Sequence, residues 1–265
     1  MEELALTKKD RVATITINRP EARNAMSREM WLGLVDLLFN AQHDTEVGCI
    51  VLTGSDPAFC AGGDVKSMVD RLSGKEKQKS VEEDTAFVRR IMESSRLLHE
   101  MPKPTIASIN GACAGAGFSL AMACDIRLAN EDAKFTTAFT GVAASGDFGG
   151  SWFLSKIIGT AKARELYYFA TPFSGKEAET MGVVNKSCPA SNLSELTSEW
   201  ANRLANGPSV ALGYMKKNMN LAEQGTLSQA LDQEALHMML SFRTEDHKEA
   251  AQAFVEKRRP VFKGK

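Results

Sequence analysis

The pattern of hydrophobic residues changes once along the chain, and this change constrains the fold more than any other feature. Up to about residue 190, short apolar runs typical of strands alternate with small-residue loops and helical patterns. After Pro189 the strand-type runs stop, and helical spacing predicts helices at 193–206, 210–220, 227–242 and 245–259. We therefore predict an α/β core over residues 1–190 and a helical C-terminal region over residues 191–265.

The predicted core alternates strands with helices. Residues 12–17 alternate apolar and polar side chains, as a half-buried strand does. Further strands are predicted at 49–53, 104–109, 126–129, 134–135 and 183–184. Helices are predicted after the cap Ser27, at 150–158, at 162–170 and after a capping box that begins at Ser174. Residues 71–80 are polar and predict a mobile surface loop.

The overall composition argues against several classes of function. Hydrophobic residues make up 43% of the chain, enough for a substantial core. The 32 basic and 33 acidic side chains give a formal net charge of −1, whereas nucleic-acid-binding proteins carry a basic stripe. No apolar run approaches the roughly 18 residues of a membrane span, and residues 1–6 lack the basic start of a signal peptide. We therefore expect a cytoplasmic protein that binds neither nucleic acid nor membrane.

The sequence carries no motif for a metal or a nucleotide cofactor. Its five cysteines include no C-x-x-C pair, and its four histidines lack metal-ligand spacing. After Gly115 and Gly117, Leu120 stands where a dinucleotide-binding G-x-G-x-x-G motif needs its third glycine. No phosphate-binding P-loop motif is present. We expect no metal and no resident cofactor, and we interpret the cysteines as buried reduced thiols.

Two segments share the order strand, small-residue loop, helix. The loops lie at residues 59–65 and 111–118. Small residues let a ligand approach the backbone closely, and the first N–H groups of a helix have no internal partner. Two such loops facing each other could direct two N–H donors at one oxygen, as an oxyanion hole does. Tight packing of strand on helix explains either loop alone equally well.

A third segment places Asp147 between glycines, ahead of a predicted helix. An aspartate in a dry pocket has a raised pKa and can carry a proton between carbon atoms. The same spacing also suits an aspartate that caps the helix N-terminus. The residues alone leave both interpretations open.

Five segments in order resemble the crotonase superfamily of enoyl-CoA hydratases and isomerases over nearly the full chain. They are INRPEARNA at 17–25, FCAGGD at 59–64, ING at 109–111 with AGAGF at 114–118, ACDIR at 123–127 and FVEKRRP at 254–260. The resemblance implies a spiral of repeated ββα units and a C-terminal helical region used for trimerisation. Such trimers often pair into hexamers. It also implies an acyl-CoA substrate, with coenzyme A as part of the thioester.

The resemblance further implies roles for individual residues. The backbone N–H groups of Gly63 and Ala116 match the family's oxyanion-hole donors. Positions that match the family's contacts with coenzyme A or the acyl group are Arg23, Ala25, Ala61, Gly62, Asp64, Val65, Phe139, Phe254 and Lys257.

Departures from the family pattern bear on the reaction. The hydratases of the family carry glutamates at the positions of Ser119 and Phe139. A serine is a poor general acid or base, and a phenylalanine cannot act as one. Asp147 matches an aspartate of the ring-opening, epoxyphenylacetyl-CoA-type isomerases. The first hypothesis is therefore an acyl-CoA isomerase in which Asp147 shuttles the proton and Phe118 and Phe139 form apolar walls. The alternatives are a hydratase that uses Asp147 and Ser119, and a CoA-binding protein without activity.

Overall fold

The structure is a computed structural model that describes residues 3–64, 73 and 79–265. Val65 and most of the loop predicted at 71–80 lie outside the described residues. The strands are β1 (Leu4–Lys9), β2 (Val12–Ile17), β3 (Cys49–Gly54), β4 (Ala58–Cys60), β5 (Thr105–Ile109), β6 (Ala112–Ala114), β7 (Ile126–Asn130), β8 (Lys134–Thr136), β9 (Phe173–Ser174) and β10 (Lys186–Cys188).

Helices connect and cover these strands. They are α1 (Arg28–His43), α2 (Val81–Ile91), α3 (Glu93–Glu100), α4 (Ala116–Met122), α5 (Gly150–Ile158), α6 (Thr160–Phe169), α7 (Gly175–Thr180), α8 (Ala190–Ala205), α9 (Ser209–Ala222), α10 (Leu227–Phe242) and α11 (Glu245–Val255). The Ser27 hydroxyl accepts from Met30 N at the start of α1, and Ser174 forms the predicted capping box of α7. In the described part of the chain, no helix has the length and apolarity needed to cross a bilayer.

The described strands form two sheets. The six-stranded sheet has the order β1-β2-β3-β5-β7-β10, and the four-stranded sheet has the order β4-β6-β8-β9. Consecutive strands alternate between them, since β3, β5 and β7 lie in the first sheet and β4, β6 and β8 in the second. A helix follows β6 directly, and helices follow β4 and β8 further along the chain. This repetition of β-β-α units confirms the predicted spiral.

The register of the second sheet brings the two small-residue loops together. β4 and β6 are parallel neighbours, with Ala58 opposite Ala112 and Cys60 opposite Cys113. The carboxyl ends of parallel neighbours lie at the same edge of a sheet. The loops that follow Cys60 and Ala114 therefore leave the sheet side by side.

Helix α8 covers one face of the six-stranded sheet, and α9 is fastened to the core by a buried lysine. The Ser108 and Thr197 hydroxyls share a buried hydrogen bond of 2.8 Å between β5 and α8. The Lys216 ammonium on α9 donates to Leu98 O at 2.7 Å and pairs with Asp125 at 2.8 Å. The division of the chain at residue 190 stays a prediction.

Two predicted elements differ from the structure. Residues 183–184 are not a strand, because the N–H groups of Val183 and Val184 both donate to Ala178 O at the end of α7. The last strand is instead Lys186–Cys188. Helix α11 ends at Val255 and not at residue 259, and Lys257 has a left-handed φ of 56°. Arg258 then pairs with Glu249.

Candidate active site

Within the described residues, the loop after β4 leaves one backbone N–H without a backbone acceptor. Met26 N donates to Gly62 O at 2.9 Å, and Asp64 N donates to Met26 O at 3.3 Å. This isolated bridge lies alongside Gly63, but the Gly63 N–H donates to no backbone group of the described residues. A free N–H in a loop of small residues is available to a ligand.

The loop after β6 presents a second backbone donor beside the first. Gly115 has a φ of 53°, and Ala116 opens helix α4, so the Ala116 N–H has no partner within the helix. A Cβ atom on Gly62 would lie 3.3 Å from Ala116 N, and one on Gly117 would lie 2.4 Å from Cys60 O. The two loops thus pack backbone against backbone. Such an arrangement can direct two N–H groups at one developing oxyanion.

Two residues that the sequence analysis did not select as functional hold β4 from both sides, Asn24 at the turn before it and Arg19 at the loop after it. Asn24 is fully buried, and its side-chain amide donates to Ser55 O at 2.7 Å and to Ala58 O at 2.6 Å. Arg19 pairs with Asp64 at 2.7 Å, and this carboxylate raises the pKa of the guanidinium. The side chain of Asp64, predicted to contact coenzyme A, is therefore engaged by Arg19.

Asp147 does not cap the helix that follows it. The N-cap of α5 is Gly149, and Asp147 meets the helix through its backbone carbonyl, which accepts from Gly150 N at 3.0 Å. Its Oδ1 atom is buried and has no hydrogen-bond partner among the described residues. Burial raises the pKa of this carboxyl from 3.8 to about 6. The group can therefore accept and return a proton near neutral pH.

Aromatic rings pack around the segment that carries Asp147. The Phe139 and Tyr167 rings stack with their centroids 5.9 Å apart, and Phe148 lies 4.2 Å from the Trp31 ring. Burial raises the pKa of Tyr167 to about 12, so its hydroxyl stays protonated. Sequence reasoning missed Tyr167, because it belongs to no motif and reaches the site from helix α6.

Several other predicted site residues can be placed. Phe118 is not shown as a wall of the site; it lies in the core, edge-on to Phe135 at 6.5 Å and Phe173 at 6.3 Å. Arg23 is exposed with a φ of 52°. Phe254 is 85% exposed and Lys257 is also exposed, and no described contact joins them to the two loops. Ala25 and Ala61 are half-buried.

Within residues 3–64, 73 and 79–265, no group of three or more His, Cys, Asp or Glu side chains is arranged to hold a metal ion.

The sequence profile of the family described as Enoyl-CoA hydratase/isomerase matches residues 7–265. The chain belongs to this family. It is an enzyme of the crotonase superfamily, whose members act on CoA thioesters.

Relatives of this enzyme are named either as isomerases or as hydratases. The chain is 34% identical over 254 residues to 1,2-epoxyphenylacetyl-CoA isomerase of Escherichia coli (strain K12), covering 96% of this chain and 95% of the relative. It is 32% identical over 260 residues to short-chain-enoyl-CoA hydratase of Clostridium acetobutylicum, covering 98% and 97%. The crystal structure of enoyl-CoA hydratase from Bacillus anthracis superimposes with a TM-score of 0.92, at 29% identity and with 100% of both chains covered. The family and the crotonase fold inferred from the sequence are confirmed.

Proposed function

We propose that this enzyme is an acyl-CoA isomerase that moves a double bond or opens a ring next to the thioester. The observation that carries the proposal is the Asp147 carboxyl, whose Oδ1 atom is buried without a partner among the described residues and whose pKa is raised to about 6. A structural aspartate would have its oxygens satisfied by the fold. An acid–base group must keep them free for the substrate.

The two backbone donors supply the electrostatic part of the mechanism. The thioester carbonyl oxygen accepts from Gly63 N–H and Ala116 N–H, and negative charge develops on this oxygen as a proton leaves the neighbouring carbon. One such donor contributes about 3–4 kcal/mol to transition-state stabilisation. Because both groups are fixed by the packed loops, they need no reorganisation during the reaction.

Asp147 supplies the proton transfer. Its carboxylate takes the α or γ proton, becomes neutral, and returns the proton at another carbon on the same face of the substrate. The aromatic surroundings exclude water, which favours the neutral acid and keeps the proton from leaking to solvent. Phe139, at 7% exposure, provides one apolar wall of this pocket.

The coenzyme A moiety lies along the first loop in our proposal. Its proposed contacts are Arg23, Ala25, Ala61, Gly62, Asp64 and Val65, with Phe254 and Lys257 at the C-terminal end. The exposed Arg23 offers a cation for phosphate, and its carbonyl accepts from Ala61 N at 3.1 Å, which ties it to the loop. Asp64 acts through Arg19 by holding the loop in place.

An assembly of three subunits, or of two such trimers, is part of the proposal. Helix α10 exposes apolar side chains on several sides, including Leu227 at 76%, Leu231 at 55% and Met238 at 54%. A monomer would leave this surface in water, and such patches mark interfaces between proteins. Burying them against further copies of the chain is favourable.

Hydration of a 2-enoyl-CoA is the second candidate. Ser119 is fully buried, and its hydroxyl donates a hydrogen bond to Gly115 O at 3.3 Å. The hydroxyl also lies next to Gly150, in the segment that carries Asp147. Together Ser119 and Asp147 could hold a water molecule. The similarity to a named hydratase is consistent with this reaction.

Replacement of Asp147 by asparagine tests the proposal. Wild type, Asp147→Asn and the control Asp132→Asn, at an exposed turn, are incubated with 2-enoyl- and 3-enoyl-CoA thioesters in heavy water. We expect a shifted double bond with deuterium on carbon, and a loss of about 10²- to 10⁴-fold in rate for Asp147→Asn alone. A product heavier by one water would select the hydratase. Near-wild-type turnover in Asp147→Asn would refute the role of Asp147.

A further inference from the structure

Two hydroxyl groups converge beside the Asp147 segment. A Cβ atom built on Gly150 would lie 2.2 Å from the Ser119 hydroxyl oxygen and 2.4 Å from the Tyr167 hydroxyl oxygen. The two oxygens therefore lie on the same side of the Gly150 backbone. Only glycine leaves them room.

The segment 146–150 lies against the hydroxyl end of the Tyr167 ring. A Cβ on Gly146 would lie 3.1 Å from Tyr167 Cε1, the ring carbon next to the one that carries the hydroxyl, and a Cβ on Gly150 would lie 2.4 Å from the hydroxyl oxygen. Asp147 lies between these two glycines. Burial raises the pKa of Tyr167, the Ser119 hydroxyl acts against this rise, and the charge of Asp147 adds to it. The phenol hydroxyl, the serine hydroxyl and the carboxylate thus share one small region.

Two of these polar groups lack a well-formed hydrogen bond in the described part of the fold. Asp147 Oδ1 is buried without any partner there, and Tyr167 Oη is buried with only the Ser119 hydroxyl near enough to lower the pKa of the phenol. Ser119 donates to Gly115 O and leaves its own acceptor capacity unused in that bond. Buried polar atoms are satisfied in nearly all proteins, and leaving one unsatisfied is costly. Two such atoms in one region indicate a ligand that both can reach.

The packing of Tyr167 does not require its hydroxyl. The ring stacks on Phe139 and contacts Gly146 through carbon atoms, and a phenylalanine would make the same contacts. The sequence nevertheless places a buried hydroxyl beside the acid–base group. If the pocket only had to be apolar, a phenylalanine here would avoid the free-energy cost of burying this hydroxyl.

We propose that Tyr167, Ser119 and Asp147 form a subsite for a single oxygen atom beside the reacting carbons. The oxygen belongs either to a water molecule or to a hydroxyl, carbonyl or epoxide group on the acyl chain. A buried water takes two to four polar partners, and these three side chains supply that number. The substrate class in this subsite rests on the proposed function, whereas the presence of a bound oxygen does not.

The test compares Tyr167→Phe with a neighbouring control. Tyr168 follows on the same helix and is 70% exposed, so Tyr168→Phe removes a hydroxyl without touching the site. Calorimetry measures the Kd of two thioesters of equal chain length, a 3-hydroxyacyl-CoA and the saturated acyl-CoA, for wild type and both variants. Crystal structures of the unliganded wild type and of Tyr167→Phe locate ordered water.

The two sources of the oxygen give different results. If the acyl chain supplies it, Tyr167→Phe weakens binding of the hydroxyacyl thioester by roughly two- to tenfold and leaves the saturated one unchanged. If water supplies it, both thioesters bind as in wild type, and an ordered water between the three side chains in wild type is absent from Tyr167→Phe. Ser119→Ala should follow Tyr167→Phe in either case, and it replaces that variant if Tyr167→Phe does not fold.

The proposal is overturned if Tyr167→Phe binds both thioesters like Tyr168→Phe and wild type contains no ordered oxygen at this position. Failure of the proposed function looks different. In that case wild type forms no isomerised product from the enoyl-CoA thioesters, while the binding measurements and the crystal structure still decide whether the three side chains hold an oxygen.

Discussion

Gly62 lies so close to Ala116 that a Cβ atom on it would be 3.3 Å from the Ala116 nitrogen and 3.1 Å from Ala114 O. Its φ of 98° also falls in a region that other residues rarely adopt. The glycine is therefore required twice, once by the backbone conformation and once by the approach of the second loop. The approach of the second loop follows from the parallel pairing of β4 with β6.

Gly62→Ala should reduce turnover, and the strain at a φ of 98° should also lower the stability of the folded protein. The added methyl group crowds the Ala116 N–H and strains the loop that carries Gly63, so we expect a fall in kcat on the order of 10²-fold. Gly141→Ala is the matched control, because nothing lies within 4 Å of its added Cβ. Steady-state kinetics on the best thioester substrate makes the comparison. Equal kcat values for the two variants would contradict the role assigned to the loops.

The small-residue loops could be predicted from the sequence, but their meeting could not. Glycine and alanine runs after apolar segments indicate places where the backbone is approached closely. The strands that align them, Ala58–Cys60 and Ala112–Ala114, have three residues each and too short a pattern to recognise. Only the assembled sheet brings Gly63 next to Ala116.

Asn24 should contribute strongly to the free energy of unfolding, although no sequence motif marks it as a structural residue. Asn24→Ala removes two donors to backbone carbonyls and the acceptor for Arg19 N at 2.8 Å, and it places alanine at a φ of 59°. We expect the free energy of unfolding to fall by about 3–5 kcal/mol. Urea denaturation of Asn24→Ala and of the exposed-site control Asn192→Ala measures this. A loss below about 1 kcal/mol would mean that water replaces these bonds.

The environment of Asp147 shows the same limit of sequence reasoning. The glycines on either side indicated a special position, but the spacing could not separate a helix cap from an acid–base group. The structure decides against the cap, since Gly149 takes that place. Tyr167, which sequence reasoning missed, reaches the site from a distant helix, and Phe118, predicted as an apolar wall, packs against Phe135 in the core. Both depend on helix packing, which local patterns do not specify.

The exposed apolar surface of α10 should hold the subunits together. Leu231 and Met238 are seven residues apart and lie on one face of the helix. The double variant Leu231→Glu and Met238→Glu should therefore dissociate the assembly, because two carboxylates would have to be buried at a cost of several kcal/mol. Light scattering after size-exclusion chromatography gives the mass of the assembly. The control is Lys134→Glu, at an exposed position of the α/β part of the chain. An unchanged mass would place the interface elsewhere.

The activity should depend on pH through Asp147. Because the carboxylate form accepts the substrate proton and burial raises the pKa of the group to about 6, kcat/KM should rise roughly tenfold per pH unit up to about pH 6 and level off above it. Rates between about pH 4.5 and 8 define this limb. A midpoint near the usual aspartate value of about 4 would mean that the group titrates as if it were in water.

Stability should respond to pH in the opposite direction. Burial raises the pKa of Asp147 from 3.8 to about 6, so between these values the folded protein binds more protons than the unfolded chain. The contribution of this carboxyl to the free energy of unfolding is therefore complete below about pH 4, falls as the pH rises to about 6, and stays low above that. Asp147→Asn has no charge to bury. Relative to wild type, it should gain on the order of 2 kcal/mol between about pH 4 and pH 7. Urea denaturation of both proteins at the two pH values measures the difference. A difference that does not change with pH would mean that the Asp147 carboxylate is not desolvated in the folded protein.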